Sequence, residues 1–307
     1  AGAPLILKPS EKTPLTAITF AELLLECGLP PSWLSVLLGP AAQVAEAIVT
    51  SERVEALSFT GSVAVGKRIA ATAGYKKLAL ELGGNDPLIV LADCEMELAV
   101  RLAAEGSFRN SGQRCTAVKR ILVEQPIAGE FTRRLVEMAG EYVAGDPAEE
   151  ATRVGTVIDE AAALSLEDTL AAAVQAGARV LLGGRRFGAL FEPTVVDRVP
   201  RDCKMVVQES FGPLAPILEV RDLDDALELA NATEYGLSAG IVTSSLSSAM
   251  HAVKRLRCGS VNVNEVPGYR IESSPFGGVK NSGLGVKEGV IEAIRFMSTV
   301  KTFSIPF

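Results

Sequence analysis

Residues 54–91 read VEALSFTGSVAVGKRIAATAGYKKLALELGGNDPLIVL, and this stretch decides the predicted fold. Its pattern indicates a strand over 54–59, a turn at 60–62, a helix over 63–73 and strands over 77–81 and 88–91. Strands that alternate with helices run parallel, because right-handed crossovers join them. The sequence therefore predicts a doubly wound α/β fold whose ligands bind beyond the carboxyl ends of the strands.

The same alternation continues on both sides of this stretch. Further elements are predicted as strands over 4–7, 34–38 and 121–123 and as helices over 15–27, 41–50 and 96–106. A chain of 307 residues is long enough for two domains of this kind.

Composition narrows the class of protein. Hydrophobic residues make up 48% and aromatic residues 5%, and an excess of Ala, Val and Leu suits helices packed on buried parallel strands. A net charge of -7 with dispersed Lys and Arg predicts no nucleic-acid or membrane partner. The five cysteines show neither disulfide nor zinc spacing, so we expect a cytoplasmic protein without a metal.

Cys115 is the candidate nucleophile, within the segment FRNSGQRCTAVKR at 108–120. The segment joins a predicted helix to a predicted strand, and such a loop presents a side chain to a cleft. The adjacent Arg114 is a cation that favours thiolate over thiol, although a single cysteine is also commonly a small buried hydrophobe. The one histidine, His251, is expected on a helix surface, so a base for Cys115 is more simply a carboxylate.

Glu81 is the candidate carboxylate, because it ends a predicted strand just before two glycines that leave space in the cleft. An ordinary capping or salt-bridged glutamate is the alternative interpretation. Gly61 and Ser62 open a helix and offer backbone amides to a pyrophosphate, but simple turn geometry explains them equally well. Lys8 and Glu11 lie on an earlier turn and suit either a ribose or solvent.

Six motifs in order across the chain resemble those of the NAD(P)-dependent aldehyde dehydrogenase superfamily. They are KPSE at 8–11, FTGS at 59–62, ELGG at 81–84, GQRC at 112–115, ESFGP at 209–213 and PFGG at 275–278. The resemblance implies an aldehyde dehydrogenase-like α/β fold. It comprises part of a Rossmann-type cofactor domain at 1–83, an α/β catalytic domain at 84–273 and a closing segment at 274–307.

The resemblance also implies the roles of individual residues. Cys115 is the nucleophile and Glu81 the base, and the contacts to NAD come from Lys8, Glu11, Gly61, Ser62, Glu209 and Phe211. Around Glu209 the sequence is QESF, where many family members have two glutamates. The departure falls at Gln208 and Ser210, so the functional positions Glu209 and Phe211 are kept. A carboxylate at Glu11 accepts a bond from a ribose hydroxyl and repels a 2'-phosphate, so we expect NAD rather than NADP.

Two further expectations concern the ends of the chain. Family members carry a substantial segment before KPSE, with the first strands of the cofactor sheet and an asparagine of the oxyanion hole. We therefore expect an N-terminally truncated chain with low activity of its own. Residues 299–305 are expected to form a strand that joins a partner subunit, in a homodimer or homotetramer.

The substrate prediction depends on two arginines. Residues 261–278 resemble the substrate loop of the family's phosphonoacetaldehyde dehydrogenases, and GQRCTAVKR at 112–120 is shared with non-phosphorylating glyceraldehyde-3-phosphate dehydrogenases. Arg114 and Arg270 are thus expected to hold a phosphonate or phosphate, with structural pairing as the alternative for each. The alternative substrates are glyceraldehyde-3-phosphate, lactaldehyde and succinate semialdehyde. The alternative functions are a cysteine hydrolase or transferase without nicotinamide and a non-catalytic remnant.

Overall fold

The computed structural model describes residues 2–307, and its first part contains two pairs of parallel strands. The elements are β1 (Leu5–Leu7), α1 (Pro14–Glu26), a 3₁₀ turn (Pro31–Trp33), β2 (Leu34–Val36), α2 (Ala41–Thr50), β3 (Ala56–Thr60), α3 (Val63–Thr72) and β4 (Lys77–Glu81). β1 pairs with β2 and β3 with β4, each in parallel, which confirms the predicted alternation. The pairs form two separate sheets rather than one continuous sheet.

Local chemistry sets the ends of these helices. Pro14 occupies the first turn of α1, where its missing N–H leaves no bond unmade, and Gly28 adopts a left-handed φ of 95° just beyond the end of that helix. Ser62 caps α3, because its hydroxyl accepts a bond from the Val65 amide at 3.4 Å. The turn at 60–62 therefore leads directly into a helix, as the sequence predicts.

A seven-stranded sheet organises the rest of the chain. Its elements and their neighbours are β5 (Asp86–Val90), α4 (Met96–Phe108), a 3₁₀ turn (Arg109–Gly112), β6 (Val118–Glu124), α5 (Gln125–Ala139), α6 (Glu160–Gln175), β7 (Arg179–Leu182), β8 (Arg186–Phe187), β9 (Leu190–Phe191), β10 (Thr194–Asp197), α7 (Lys204–Val207), β11 (Leu214–Val220), α8 (Leu223–Asn231), β12 (Ser238–Val242), α9 (Leu246–Arg255) and β13 (Ser260–Val263). The strand order is β13-β12-β5-β6-β11-β10-β7. Within this seven-stranded sheet, β7 runs antiparallel to β10 and the other neighbouring strands are parallel.

Both faces of this sheet are buried. Alternate residues of each strand point to opposite sides, so one strand contributes side chains to the core on each face. Leu88 and Val90 of β5 pack in one core with side chains of α4 and α5, whereas Ile89 packs in a second core with α6 and α8. Helices on both faces account for the apolar runs of the central strands. No helix within residues 2–307 has the length and apolar character needed to cross a bilayer.

The closing segment contains a 3₁₀ turn (Lys280–Ser282) and α10 (Val290–Met297), and it returns to the first part of the chain. The Leu82 amide donates to the Ser282 carbonyl at 2.9 Å. Residues 299–305 form neither helix nor strand in this single chain, and their predicted pairing with a partner subunit stays a prediction. A strand needs a neighbour to complete its hydrogen bonds, and here none pairs with it. The division into domains stays a prediction.

Arg120 joins the sheet to a helix although it is almost completely buried. Its guanidinium donates to the Asn85 carbonyl at 2.7 and 3.0 Å, to the Leu229 carbonyl at 2.8 Å and to the Ala230 carbonyl at 3.0 Å. The last two carbonyls lie in the final turn of α8, where a cation is favoured by the helix dipole. Burial lowers the pKa of Arg120 to about 10, so it stays charged at neutral pH.

Replacing Arg120 is therefore expected to destabilise the fold. Arg120→Met removes the donors of three buried carbonyls, and we expect a loss of about 3–5 kcal/mol in the free energy of unfolding. Urea unfolding followed by circular dichroism measures it. Arg133→Met is the control, because the Arg133 side chain is 67% exposed and should change stability by less than about 0.5 kcal/mol. Equal losses in the two variants would contradict the assignment.

Candidate active site

A turn with unusual backbone angles leads to Cys115. Asn110, Ser111 and Gly112 all have positive φ, at 55°, 54° and 68°. Gly112 is required at its position, since a Cβ there would lie 2.1 Å from the Gly212 carbonyl oxygen. The loop before Cys115 thus adopts a conformation that costs free energy and that its surroundings must hold in place.

Side-chain hydrogen bonds keep the loop before Cys115 in this conformation. The Ser111 hydroxyl donates to the Gly155 carbonyl at 2.9 Å, and the Gln113 side-chain oxygen accepts from the Ile158 amide at 2.8 Å. The loop is therefore attached to residues 155–158 on one side. Such attachment fixes Cys115 without covering it, and the residue is partly exposed.

The thiol of Cys115 lies in a mixed electrostatic environment. Burial raises its pKa above the ordinary value, and the charge of Lys119 and a hydrogen bond from the Thr116 amide lower it. The carboxyl groups of Asp86 and Glu209 raise it further. The sulfur is thus mainly a thiol at neutral pH, with Lys119 as the cation that favours its ionised form.

Burial lowers the pKa of Arg114 and the charge of Cys115 acts against this, so Arg114 and the sulfur interact electrostatically. The Arg114 guanidinium is directed to the end of α4, where it donates to the Gly106 carbonyl at 2.9 Å. The physical reason is that these last helix carbonyls lack intrahelical donors and attract a cation. One buried Arg114 nitrogen, Nε, has no partner among the described residues.

Lys119 links the Cys115 loop to Glu209. Its ammonium lies 3.4 Å from the Glu209 carboxylate and is 2% exposed, and that carboxylate also accepts from the Gly84 amide at 3.1 Å. Phe211 follows Glu209 closely, and its ring is 46% exposed. A Cβ at Gly83 would lie 2.2 Å from a Glu209 carboxylate oxygen, so a larger residue there would require the Glu209 side chain to move.

Glu81 is buried at the end of β4, and neither of its carboxylate oxygens has a partner among the described residues. Burial raises its pKa to about 7, the nearby charge of Glu288 raises it too, and Arg270 lowers it. A Cβ at Gly84, three residues later, would lie 2.5 Å from the Cys115 carbonyl oxygen. The structure therefore brings the Glu81 segment against the Cys115 loop.

The other predicted cofactor contacts lie along the ends of the first elements. Gly61 and Ser62 are exposed at the start of α3, and the Gly61 amide donates to the Glu81 carbonyl at 3.1 Å. Glu11 accepts a hydrogen bond from the Ala41 amide at the start of α2. Lys8 donates to its neighbouring carbonyl at 2.9 Å. Each of these residues therefore also has a local structural explanation.

Arg270 lies on the loop that follows β13. It pairs with Glu288 at 3.0 Å and stacks 4.4 Å from the Phe276 ring centroid. A Cβ at Gly268 would lie 2.6 Å from the Thr116 hydroxyl, so this loop packs directly on the Cys115 loop. No contact joins Arg270 to Arg114 among the described residues, and both have partners within the chain.

Two residues of the site were missed by sequence reasoning. Asp86 is almost completely buried, and burial raises its pKa to about 7. Lys119 is buried close to it. Both are charged residues at the start of apolar strands, β5 and β6, where a charge is unusual and indicates a site.

Comparison with known proteins identifies close relatives over almost the whole chain. The 3-sulfolactaldehyde dehydrogenase of Priestia aryabhattai is 40% identical over 298 residues, covering 97% of this chain and 62% of the relative. The lactaldehyde dehydrogenase of Methanococcus vannielii is 39% identical over 308 residues, covering 99% and 66%. This chain thus spans less than two thirds of the length of these relatives.

A solved structure shows the same fold. Glyceraldehyde-3-phosphate dehydrogenase of Methanocaldococcus jannaschii, crystallised with NADP, has a TM-score of 0.92 and 39% sequence identity, and the match covers 96% of this chain and 65% of that one. The likeness confirms the predicted aldehyde dehydrogenase-like fold. Because residues 1–303 also match the family as a whole, the chain belongs to the aldehyde dehydrogenase family.

Proposed function

We propose that this chain serves the oxidation of a small aldehyde to its carboxylic acid, with Cys115 as nucleophile and Glu81 as base. One observation carries the proposal: a buried carboxyl group without partners, whose pKa is raised to about 7, lies in the segment that packs on a partly exposed cysteine. A carboxyl group with a pKa near neutrality is suited to accept a proton from water.

The residues present fit a nicotinamide cofactor. The exposed start of α3 at Gly61 and Ser62 suits a pyrophosphate, the partly exposed Glu209 carboxylate suits a ribose hydroxyl, and the exposed ring of Phe211 offers a flat apolar surface. When bound, such a cofactor accepts the hydride of the aldehyde. We propose NAD as the preferred form, through Glu11.

Cys115 begins the reaction. Its thiolate adds to the aldehyde carbon, and the negative charge that forms on oxygen is met by the Cys115 backbone amide, which donates to no other acceptor among the described residues. Loss of hydride leaves a thioester on Cys115. The fixed loop holds the sulfur and the amide in one geometry, which limits the entropy cost of the step.

Glu81 completes it. The carboxylate takes a proton from a water molecule, the resulting hydroxide attacks the thioester carbon, and the carbon–sulfur bond breaks to release the carboxylic acid and the Cys115 thiolate. Both Glu81 oxygens are buried and neither is bonded within the described residues, so their capacity to accept a hydrogen bond is left for a bound water. Burial keeps the carboxyl basic enough for this role at neutral pH.

We propose that the substrate is a small aldehyde with a tetrahedral oxyanion at its far end, phosphonoacetaldehyde being the specific candidate. The charge of Arg270 acts on Glu81, and its loop packs on the Cys115 loop, so its guanidinium is suitably placed for the end of a short substrate. Relatives named for a sulfonated and a phosphorylated aldehyde support an anionic substrate class. The unpartnered Nε of Arg114 offers a second donor.

The first test concerns pH. With p-nitrophenyl acetate as an acylating ester, the burst reports acylation of Cys115 and the steady rate reports hydrolysis by Glu81. Since only ionised Glu81 acts as base, the steady rate should rise with pH through about 7. Glu288→Gln removes a negative neighbour and should move this rise to lower pH, whereas Arg270→Met should move it higher. A rise that moves in the same direction in both variants would contradict the role of Glu81.

The second test concerns the substrate. In the full-length protein, Arg270→Met should lower kcat/KM for phosphonoacetaldehyde by about 10- to 100-fold, because a hydrogen bond to a charged group contributes about 1.5–3 kcal/mol. Propionaldehyde, which carries no charge, should lose far less. Arg295→Met is the matched control, since Arg295 is exposed and pairs with Glu292 within α10. Equal losses on the two aldehydes would make Arg270 structural.

The third test concerns the cofactor. Glu11→Gln removes the negative charge that opposes a 2'-phosphate, so the ratio of kcat/KM for NAD to that for NADP should fall by about tenfold or less. Glu22→Gln, at an exposed position of α1, should leave the ratio unchanged. A parent protein that already prefers NADP would count against this role of Glu11.

A further inference from the structure

Lys119 is buried in a way that its position in β6 does not explain. Its side chain is 2% exposed, and its ammonium donates to the Arg114 carbonyl at 2.8 Å and the Cys115 carbonyl at 2.7 Å. The Glu209 carboxylate lies 3.4 Å away. Two hydrogen bonds of the ammonium therefore go to the Cys115 loop, and its charge also faces the Glu209 carboxylate.

A buried ammonium is costly, and an apolar side chain of similar size would serve packing alone better. Lys280, which is exposed, is a lysine that bonds only to backbone carbonyls among the described residues. Its ammonium donates to the carbonyls of Asn231 and Thr233, each at 3.0 Å, without a carboxylate and away from Cys115. Lys119 differs from it in holding both the nucleophile segment and a carboxylate.

We propose that Lys119 is a positioning residue that fixes the backbone of Cys115 against Glu209 and favours the thiolate form of Cys115. A hydrogen bond to the Cys115 carbonyl fixes the orientation of that residue, and the positive charge stays close to its sulfur. The proposal rests on the proposed function only in naming Cys115 as the nucleophile. The ionisation of the thiol can be measured without any turnover.

The charges around the sulfur act on the ionisation of Cys115 with opposite signs, so the effect of Lys119 can be distinguished from that of the carboxyl groups. Asp86 on β5 and Glu209 before β11 both oppose ionisation of Cys115, whereas Lys119 on β6 favours it. Arg114 is the adjacent cation, but its guanidinium is directed to the carbonyls at the end of α4. Removing Lys119 therefore leaves Arg114 as the remaining cation that acts on Cys115, against two carboxyl groups.

Lys119 also connects the two sides of the site. Glu209 is proposed to contact the ribose, and Cys115 to attack the aldehyde, so one ammonium sets the distance between the two groups. Lys119 is therefore the group that contacts both the Cys115 segment and Glu209.

The experiment measures alkylation of each cysteine by iodoacetamide as a function of pH, with peptide-resolved mass spectrometry. In Lys119→Met, the midpoint of the Cys115 profile should move to higher pH by about one unit or more, so that alkylation below the midpoint slows about tenfold. The exposed Cys27 is the internal reference. Lys119→Arg keeps the charge and should restore most of the rate.

Two further variants decide the interpretation. Glu209→Gln should move the Cys115 profile to lower pH. The profile of the double variant with Lys119→Met should lie between those of the two single variants. The double variant also keeps the test valid if one single variant folds poorly. Lys280→Met, as the matched control, should change nothing at Cys115. An unchanged profile in Lys119→Met, or an equal change in Lys280→Met, would overturn the proposal. Normal shifts in a full-length protein that oxidises no aldehyde would instead overturn the proposed function.

Discussion

The passage of the backbone through Gly83 and Gly84 is the constraint on which the site depends. These two residues lead from β4 in the small sheet to β5 in the large one. A side chain at Gly84 would meet backbone, and one at Gly83 would displace the Glu209 side chain. Gly83 lies against the Glu209 carboxylate and Gly84 against the Cys115 carbonyl. Three segments far apart in sequence can therefore meet at one point, because the residues between them have no Cβ.

The charges near this point are compensated mainly by backbone groups. Arg120 donates hydrogen bonds to carbonyls of Asn85 and α8. Lys119 donates to two carbonyls and pairs with one carboxylate. Asp86 has one oxygen bonded to the Ser238 amide and the other without a partner. Such a set is costly in isolation, yet it rigidifies the strand ends that carry the site.

Glu81 and Cys115 share one physical property, since burial raises the pKa of both groups. For the carboxyl group this makes a better base, whereas for the thiol it makes a poorer nucleophile. The two groups are therefore adjusted by different neighbours: Glu288 and Arg270 act on Glu81, and Lys119 and Glu209 act on Cys115. We propose that separate control of this kind allows the acylation and hydrolysis steps to be tuned independently.

The sequence by itself determined the order of strands and helices as far as β6, the loop position of Cys115, the strand-end position of Glu81 and the family. Those features follow from local patterns: apolar periodicity, glycines at turns and motif order. Tertiary structure alone decided that the first strands form two small sheets, that 299–305 is no strand in this chain and that Arg114 is directed to α4. It also decided that the Lys119 ammonium bonds to the Cys115 carbonyl, so that Lys119 is a second cation acting on the thiol. Side-chain direction, burial and strand pairing depend on neighbours distant in sequence, and no local pattern encodes them.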